Sequence, residues 1–279
     1  MVEMQAELTD CAPMSHPRFL PAVTLPPRIN VLGVGVSVMN LDSAVAILAA
    51  ALAEGRRGYV CVTGVHGVME SQADPALRHI HNASLLTTPD GMPMVWLGRL
   101  AGHRSMSRVY GPELMEHVFA WSQRSGATHF FYGGATGVAE ELKVKVEARF
   151  SGVRIVGTYT PPFRPLTPAE DATLVAQVAA LKPDFLWVGL STPKQERFMA
   201  GYLPQLDAKI FIGVGAAFDF HAGRVAQAPR WIQRSGFEWL YRTCREPKRL
   251  WKRYATNNPR FLWRLLGQWL GWRKYELDS

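Results

Sequence analysis

Thr87-Thr88-Pro89-Asp90-Gly91-Met92-Pro93 joins a short apolar run, Ala83-Ser84-Leu85-Leu86, to a helical pattern that begins Met94-Val95-Trp96-Leu97. Pro89 biases Thr88 toward extended backbone, and Gly91 allows a sharp turn behind the acid. Asp90 is thereby held at the carboxyl end of a strand, the edge at which open α/β sheets bind ligands. A carboxylate there can take a proton from an attacking hydroxyl. It can equally cap the helix that follows, the commoner use of Asp before a turn. Taken alone, the stretch leaves both uses open.

Three other strand-to-helix junctions carry small or polar residues. In Tyr132-Gly133-Gly134-Ala135-Thr136-Gly137 the glycines let backbone N–H groups approach an anion at a helix N-terminus. The run has no Lys-Ser/Thr of a P-loop and does not fit Gly-x-Gly-x-x-Gly. Gly189-Leu190-Ser191-Thr192-Pro193-Lys194-Gln195-Glu196 offers hydroxyls and the Gln195 amide, groups suited to sugar or ribose hydroxyls as well as to a helix cap. Gly213-Val214-Gly215-Ala216-Ala217-Phe218-Asp219 allows close approach of a ligand or of neighbouring backbone, with Asp219 expected to pair with an arginine. Gly33-Val34-Gly35 reads as a tight strand-end turn. Of the eight histidines, His66 is best placed to face the same edge, although a structural role is commoner for any single histidine.

The missing patterns narrow the chemistry. There is no Asp-x-Asp pair to hold a divalent ion, no Cys/His cluster of metal spacing and no Gly-x-Ser-x-Gly elbow, so neither a metal nor a cofactor is expected. Cys11, Cys61 and Cys244 form no disulfide framework, which fits a reducing compartment. If a diphosphate departs, arginines and backbone N–H groups must stabilise its charge.

The elements that position these residues alternate. Strands are expected at Ile29–Val36, Gly58–Thr63, Ser84–Thr88, Ala127–Tyr132, Val153–Tyr159, Asp184–Leu190 and Lys209–Val214. Helices fall between them, at Asp42–Glu54, Gly67–His81, Pro112–Arg124, Gly137–Phe150, Pro168–Leu181 and Pro193–Tyr202. Such alternation implies βαβ units: a Rossmann-like, parallel-rich sheet with helices on both faces. Residues 1–28, with Pro13, Pro17, Pro21, Pro26 and Pro27, read as a loop-like leader without the apolar core of a signal peptide. Residues 29–229 form the α/β domain and 230–279 a helical appendage.

Charge marks that last boundary. Residues 1–229 hold 19 Lys+Arg and 19 Asp+Glu, whereas 230–279 hold 12 against 4 and carry the whole net charge of +8. Six of the nine tryptophans also lie there. Pro247 is expected to open a helix, and after Pro259 the segment Arg260–Lys274 sorts leucines and tryptophans to one side and basic residues to the other. A basic, Trp-bearing amphipathic helix suits an anionic membrane surface; packing on the α/β domain or on a second copy in a homo-oligomer is the alternative. No apolar run reaches the ~18 residues of a spanning helix.

Thr88-Pro89-Asp90-Gly91-Met92-Pro93, Arg108-Val109-Tyr110-Gly111-Pro112, Tyr132-Gly133-Gly134, Pro193-Lys194-Gln195-Glu196, Gly213–Asp219, Phe237-Glu238-Trp239-Leu240-Tyr241-Arg242 and Glu246-Pro247 occur together and in this order. The set resembles the WecG/TagA/CpsF family of glycosyltransferases, over about residues 31–255. The resemblance implies an inverting transferase that moves a sugar, N-acetylmannosamine-type or a related hexose, from a UDP-sugar to a polyprenyl-diphosphate-linked acceptor. It further implies a place in cell-surface polysaccharide synthesis, with the protein cytoplasmic and peripheral on the inner face of the membrane.

By the same resemblance Asp90 is the general base, and arginines nearby are expected to keep it ionised. Thr63, Arg108 and Gln195 take the family's substrate-binding positions. Arg242, Arg245 and Arg249 are candidates to reach the diphosphate, while Gly133, Gly134, Gly189 and Gly215 flank the nucleotide. The chain departs from the family's Thr-x-Asn after the second strand: it has Thr63-Gly64-Val65, then His66, which is expected to supply the missing hydrogen bonds.

Two rivals predict other features. A nucleotide-dependent oxidoreductase on a Rossmann-like sheet needs a complete glycine fingerprint and an acid about 20 residues on, and neither is convincing here. A nucleic-acid-binding protein using the basic tail would carry a reading motif, and none is found; nucleic acid is therefore not an expected partner.

Overall fold

The structure is a computed structural model that describes residues 24–277; most of the leader expected over 1–28, and the side chain of Arg249, lie outside the described residues. The first ordered strands are β1 (Arg28–Val31) and β2 (Val34–Ser37), paired antiparallel. A single strand was expected over Ile29–Val36. Leu32 and Gly33 both take positive φ, 52° and 83°, the signature of a two-residue hairpin turn, so the chain reverses there. The turn thus falls one residue ahead of the Gly33-Val34-Gly35 reading.

Helix α1 (Leu41–Ala53) leads to β3 (Gly58–Thr63), and α2 (Val65–Ala73) and α3 (Pro75–Ala83) lead to β4 (Leu86–Pro89). The helix expected over Gly67–His81 is two helices, because Pro75 cannot continue a helix through Asp74. Asp74 instead caps α3, accepting from the Leu77 N–H at 3.1 Å. There follow α4 (Met92–Leu100), α5 (Gly111–Ser125), β5 (Thr128–Gly133), α6 (Val138–Arg149), β6 (Arg154–Tyr159) and α7 (Pro168–Leu181). Then come β7 (Phe185–Gly189), α8 (Lys194–Tyr202), β8 (Ile210–Gly213) and the short α9 (Ala217–His221).

The strands from β3 to β8 form one parallel sheet in the order β4-β3-β8-β7-β5-β6. Side chains alternate across it, as the pleat requires. Val60, Phe131, Trp187 and Ile212 are buried with residues of α1, α5 and α6. Cys61, Tyr132, Val188 and Phe211 are buried with residues of α7 and α8 on the opposite face. Both faces are covered, which is why these strands read as nearly unbroken apolar runs.

The C-terminal elements are α10 (Arg230–Ser235), α11 (Glu238–Arg245) and α12 (Pro247–Trp269). Pro247 opens α12 as expected, and Pro259 lies inside it. The backbone hydrogen bond lost at a proline is offset by tertiary packing. Phe261 and Leu265 enter a third core with Ile29, Val31, Val34 and Val68. Gln268 accepts from the Leu32 N–H at 3.1 Å and donates to Asn30 O at 3.1 Å, and Asn30 donates to Tyr275 O at 2.6 Å. The second half of α12 is therefore part of the fold that holds the β1–β2 hairpin. Among the described residues no helix is long and apolar enough to cross a membrane.

Candidate active site

Parallel register brings the strand ends into line. Thr63 pairs with Pro89, Cys61 with Gly213, Val188 with Gly213, and Gly133 with Gly189. The junctions singled out in the sequence thus share one edge, at the carboxyl ends of the strands. A cavity of about 1800 Å³ opens over that edge and runs beneath α10–α12.

Asp90 follows β4 directly and lines this cavity. Its N–H donates to Thr63 O at 3.0 Å, and the Val109 N–H to Pro89 O at 3.0 Å, so backbone on both sides fixes its place. Gly64 must be small: a Cβ there would lie 2.6 Å from Asp90 O. The cap of α4 is Gly91, at φ 89°, and no side chain accepts from the first turn. The helix-cap use of Asp90 is therefore overturned: Gly91 occupies the cap position, and among the described residues the Asp90 side chain accepts no hydrogen bond from the first turn of α4.

Among the described residues no donor reaches the Asp90 carboxylate. Burial, with the charge of Glu238 next, pushes it up to about 6, against the opposing pull of Arg108 and Arg242. The arginines expected to keep the group ionised do pull its pKa down, but desolvation by burial outweighs them. At neutral pH the group is still mostly ionised, yet basic enough to accept a proton.

Arg108 lines the cavity, but its guanidinium is engaged. It donates to Glu238 Oε2 at 2.7 Å and to Gln233 Oε1, and stands 3.5 Å from Glu113 Oε1. It also lies 4.4 Å from the centre of the Tyr110 ring. Two of these acceptors belong to α10 and α11, so Arg108 ties the sheet domain to the C-terminal helices. Arg242 reaches the same space, 5.7 Å from the Phe220 ring. Burial opposes its charge, but Tyr254, Tyr110, Glu238 and Asp90 together hold its pKa above the ordinary arginine value. Arg245 is exposed on the Tyr241 hydroxyl at 3.2 Å and does not line the cavity. The candidate role of Arg249 lies outside the described residues.

The remaining candidates divide. His66 lines the cavity and is held down to about 4 by burial and by Arg253, so it is neutral at pH 7, with Nδ1 3.3 Å from the Asn257 amide of α12. Thr63 is brought beside Asp90 but is buried behind the wall, its Oγ1 without a partner among the described residues. Gln195 reaches the wall with its amide already oriented: Nε2 donates to Glu196 Oε1 at 3.0 Å, and Oε1 accepts the Gly215 N–H at 3.0 Å. A carboxylate can only accept, so Glu196 fixes which way the Gln195 amide faces.

Gly134, Gly189 and Gly215 line the cavity, whereas Gly133 supports it from behind. A Cβ on Gly133 would lie 2.7 Å from Gly189 O, and one on Gly189 2.5 Å from Phe218 Cδ2. The Gly134 N–H is spent on Gly189 O at 2.9 Å, so these glycines give close strand packing and a smooth wall.

The sequence reading missed Tyr110, Gln233, Glu238, Arg253 and Tyr254, all of which line the cavity. Tyr110 is only 7% exposed, and among the described residues its hydroxyl has no hydrogen-bond partner. Tyr110 and Glu238 lie within the quoted motifs, and that was the only signal available; the contacts of Glu238 and Gln233 with Arg108 join residues more than a hundred positions apart. Among the described residues no three His, Cys, Asp or Glu side chains converge as a cation site.

A carboxylate that no donor reaches among the described residues thus shares a large cavity with the half-buried Arg108 and Arg242, a set of groups that can take up a proton and offset negative charge. Residues 29–275 match the model of the glycosyl transferase WecG/TagA/CpsF family. The chain belongs to that family. It is accordingly a glycosyltransferase. The family match extends past residue 255 to the end of the α12 region, as expected if α12 is part of the fold. The chain is similar to the N-acetylglucosaminyldiphosphoundecaprenol N-acetyl-beta-D-mannosaminyltransferase of Bacillus subtilis (strain 168), 32% identical over 63% of this chain and 66% of that relative. It is also similar to the enzyme of the same name from Bacillus spizizenii (strain W23), 29% identical over 78% of this chain and 82% of that relative.

Proposed function

We propose that the protein transfers a sugar, N-acetylmannosamine-type or a related hexose, from a UDP-sugar to a polyprenyl-diphosphate-linked sugar, with inversion, in cell-surface polysaccharide synthesis. The observation that carries this reading is the Asp90 carboxylate, raised in pKa and without a donor, in a cavity that also holds Arg108 and Arg242. In the proposed step the acceptor hydroxyl gives its proton to Asp90 as its oxygen attacks the anomeric carbon. The bond to the UDP oxygen breaks on the opposite face, and the charge passes to the departing diphosphate. Arg242, and Arg108 once it exchanges a carboxylate for a phosphate, offset that charge without need of a metal ion. Gly134, Gly189 and Gly215 give the nucleotide a close approach to the sheet edge. His66, being neutral, hydrogen-bonds a sugar hydroxyl in the role of the absent asparagine.

In this reading residues 230–279 bind the cytoplasmic face of the membrane peripherally. Trp231, Trp251, Trp263 and Trp272 are exposed among the basic residues of this segment. Each basic residue near an anionic surface contributes roughly 1 kcal/mol. The test is a screen of UDP-sugars against a polyprenyl-diphosphate-sugar analogue, read by mass, with and without EDTA. Transfer that persists in EDTA and vanishes in Asp90→Asn supports the reading. Undiminished transfer by that variant removes Asp90 from the base role, and dependence on added Mg²⁺ or Mn²⁺ removes the metal-free account. Flotation of the full chain with anionic liposomes tests the membrane contact, with a Trp251→Ser/Trp263→Ser/Trp272→Ser variant expected to remain soluble.

A further inference from the structure

The cavity has a second end that the transfer step does not use. Helix α4 and the latter half of α12 face each other across an apolar depression of about 370 Å³, lined by Ile29, Val31, Leu97, Leu100, Leu265 and Trp269. Leu97, Leu100, Leu265 and Trp269 also line the large cavity, so the two spaces form one continuous trough. On α12 the wall is a stripe at helical spacing: Tyr254, Asn258, Phe261, Leu262, Leu265 and Trp269. Its composition changes along its length, from polar beside Arg253 to mostly apolar at Trp269, where Asn30 and Gln268 are the polar residues of the lining. From Tyr254 to Trp269 the helix rises ~22 Å.

The apolar end is left in water at a real cost. Leu100 is 71% exposed, Leu262 64% and Trp269 62%, on side chains that converge rather than scatter. Contiguous apolar surface of this kind marks a binding site. A membrane-facing surface alone does not account for it: Trp251, Trp263 and Trp272 are as exposed but line neither space. A trough cationic at one end and apolar at the other is complementary to a ligand with an anionic head and a hydrocarbon chain. The acceptor named for the similar Bacillus enzymes, a diphosphoundecaprenol, has that chemistry.

We propose that the trough between α4 and α12 holds the first isoprene units of the lipid acceptor, drawing its chain off the membrane and setting its diphosphate at the Arg242–Arg253 end. The proposal rests on the lipid-linked acceptor of the preceding section. Chain recognition then occurs inside the protein, next to the base, and is separate from adhesion of the outer tryptophans to the bilayer.

The test compares two acceptors with the same sugar-diphosphate head, one on a short soluble alkyl chain and one on a long polyprenyl chain, in detergent without vesicles. The double variant Leu100→Gln/Leu262→Gln changes two exposed residues, and an unchanged thermal transition verifies its folding. Its KM for the long-chain acceptor is expected to rise at least about tenfold, with kcat and the short-chain kinetics unchanged. Equal effects on both acceptors, or no effect on either, overturn the proposal. So does Trp251→Ser if it shifts the long-to-short preference as much as the trough variant does. If the unaltered protein turns over neither acceptor, the transferase reading fails separately, and the trough is judged by titrating a fluorescent polyprenyl monophosphate into the full chain. Binding lost in the double variant supports it, and equal binding refutes it.

Discussion

Replacing Asp90 by Asn should abolish transfer and at the same time stabilise the protein. Burial and Glu238 raise the Asp90 carboxyl from 3.8 to about 6 in the folded chain. Below pH 3.8 the side chain is protonated in both folded and unfolded states, and Asp and Asn behave alike. Between 3.8 and about 6 the unfolded chain gives up its proton while the folded one keeps it, so the native protein loses stability relative to the variant as pH rises. Above pH 7 the loss is complete. At about 1.4 kcal/mol per tenfold change it reaches about 3 kcal/mol, and less to the extent that the cavity admits water to the open face of Asp90. For a chain of this size that is a rise in Tm of up to roughly 6–12 °C at pH 8. Urea unfolding of both proteins at pH 8 and at the lowest pH where both remain folded measures the difference directly. A stability gap that is absent at pH 8, or the same at both pH values, would refute the reasoning, because no other contact distinguishes the two isosteric side chains.

Three further outcomes follow from the same geometry. Glu238→Gln withdraws the charge that most raises Asp90, so the acid limb of kcat/KM should move to lower pH; a limb that stays put or rises would sever Glu238 from the base. Gly236→Val would bring a side chain within 2.6 Å of Trp96 Cη2 at a residue with φ 81°, forcing α10 and α11 off α4. Because Arg108 loses its clamp, kcat/KM should fall about tenfold or more in a steady-state assay. Gly189→Ala places a Cβ 2.5 Å from Phe218 Cδ2, so urea unfolding should show a loss of about 1–3 kcal/mol and calorimetry weaker UDP binding; an unaltered protein would mean that the sheet edge has room to spare.

The sequence by itself determined the alternation of strands and helices, the residues that end each strand, and the segregation of charge and tryptophan into the last fifty residues. Each is a local property: a period of two or of 3.6, a proline or glycine at a junction, a composition that shifts along the chain. Even so, local signals misplaced two features: the hairpin at Leu32-Gly33 reads as one strand, and the two helices that meet at Asp74 read as one. Pro259 lies inside α12, where packing of Phe261 and Leu265 on the β1–β2 hairpin outweighs what proline does to an isolated helix.

What only the tertiary structure decided is which of these residues meet. The order β4-β3-β8-β7-β5-β6 sets Thr63 beside Pro89 and Gly133 beside Gly189. The fold of the last three helices brings Glu238 and Gln233 to Arg108 and leaves Arg245 outside. The proton affinity of Asp90 belongs to the same category. A carboxyl group's intrinsic chemistry is written in the residue type, but its desolvation and its neighbours' charges exist only once residues 90, 108, 238 and 242 share one enclosed space.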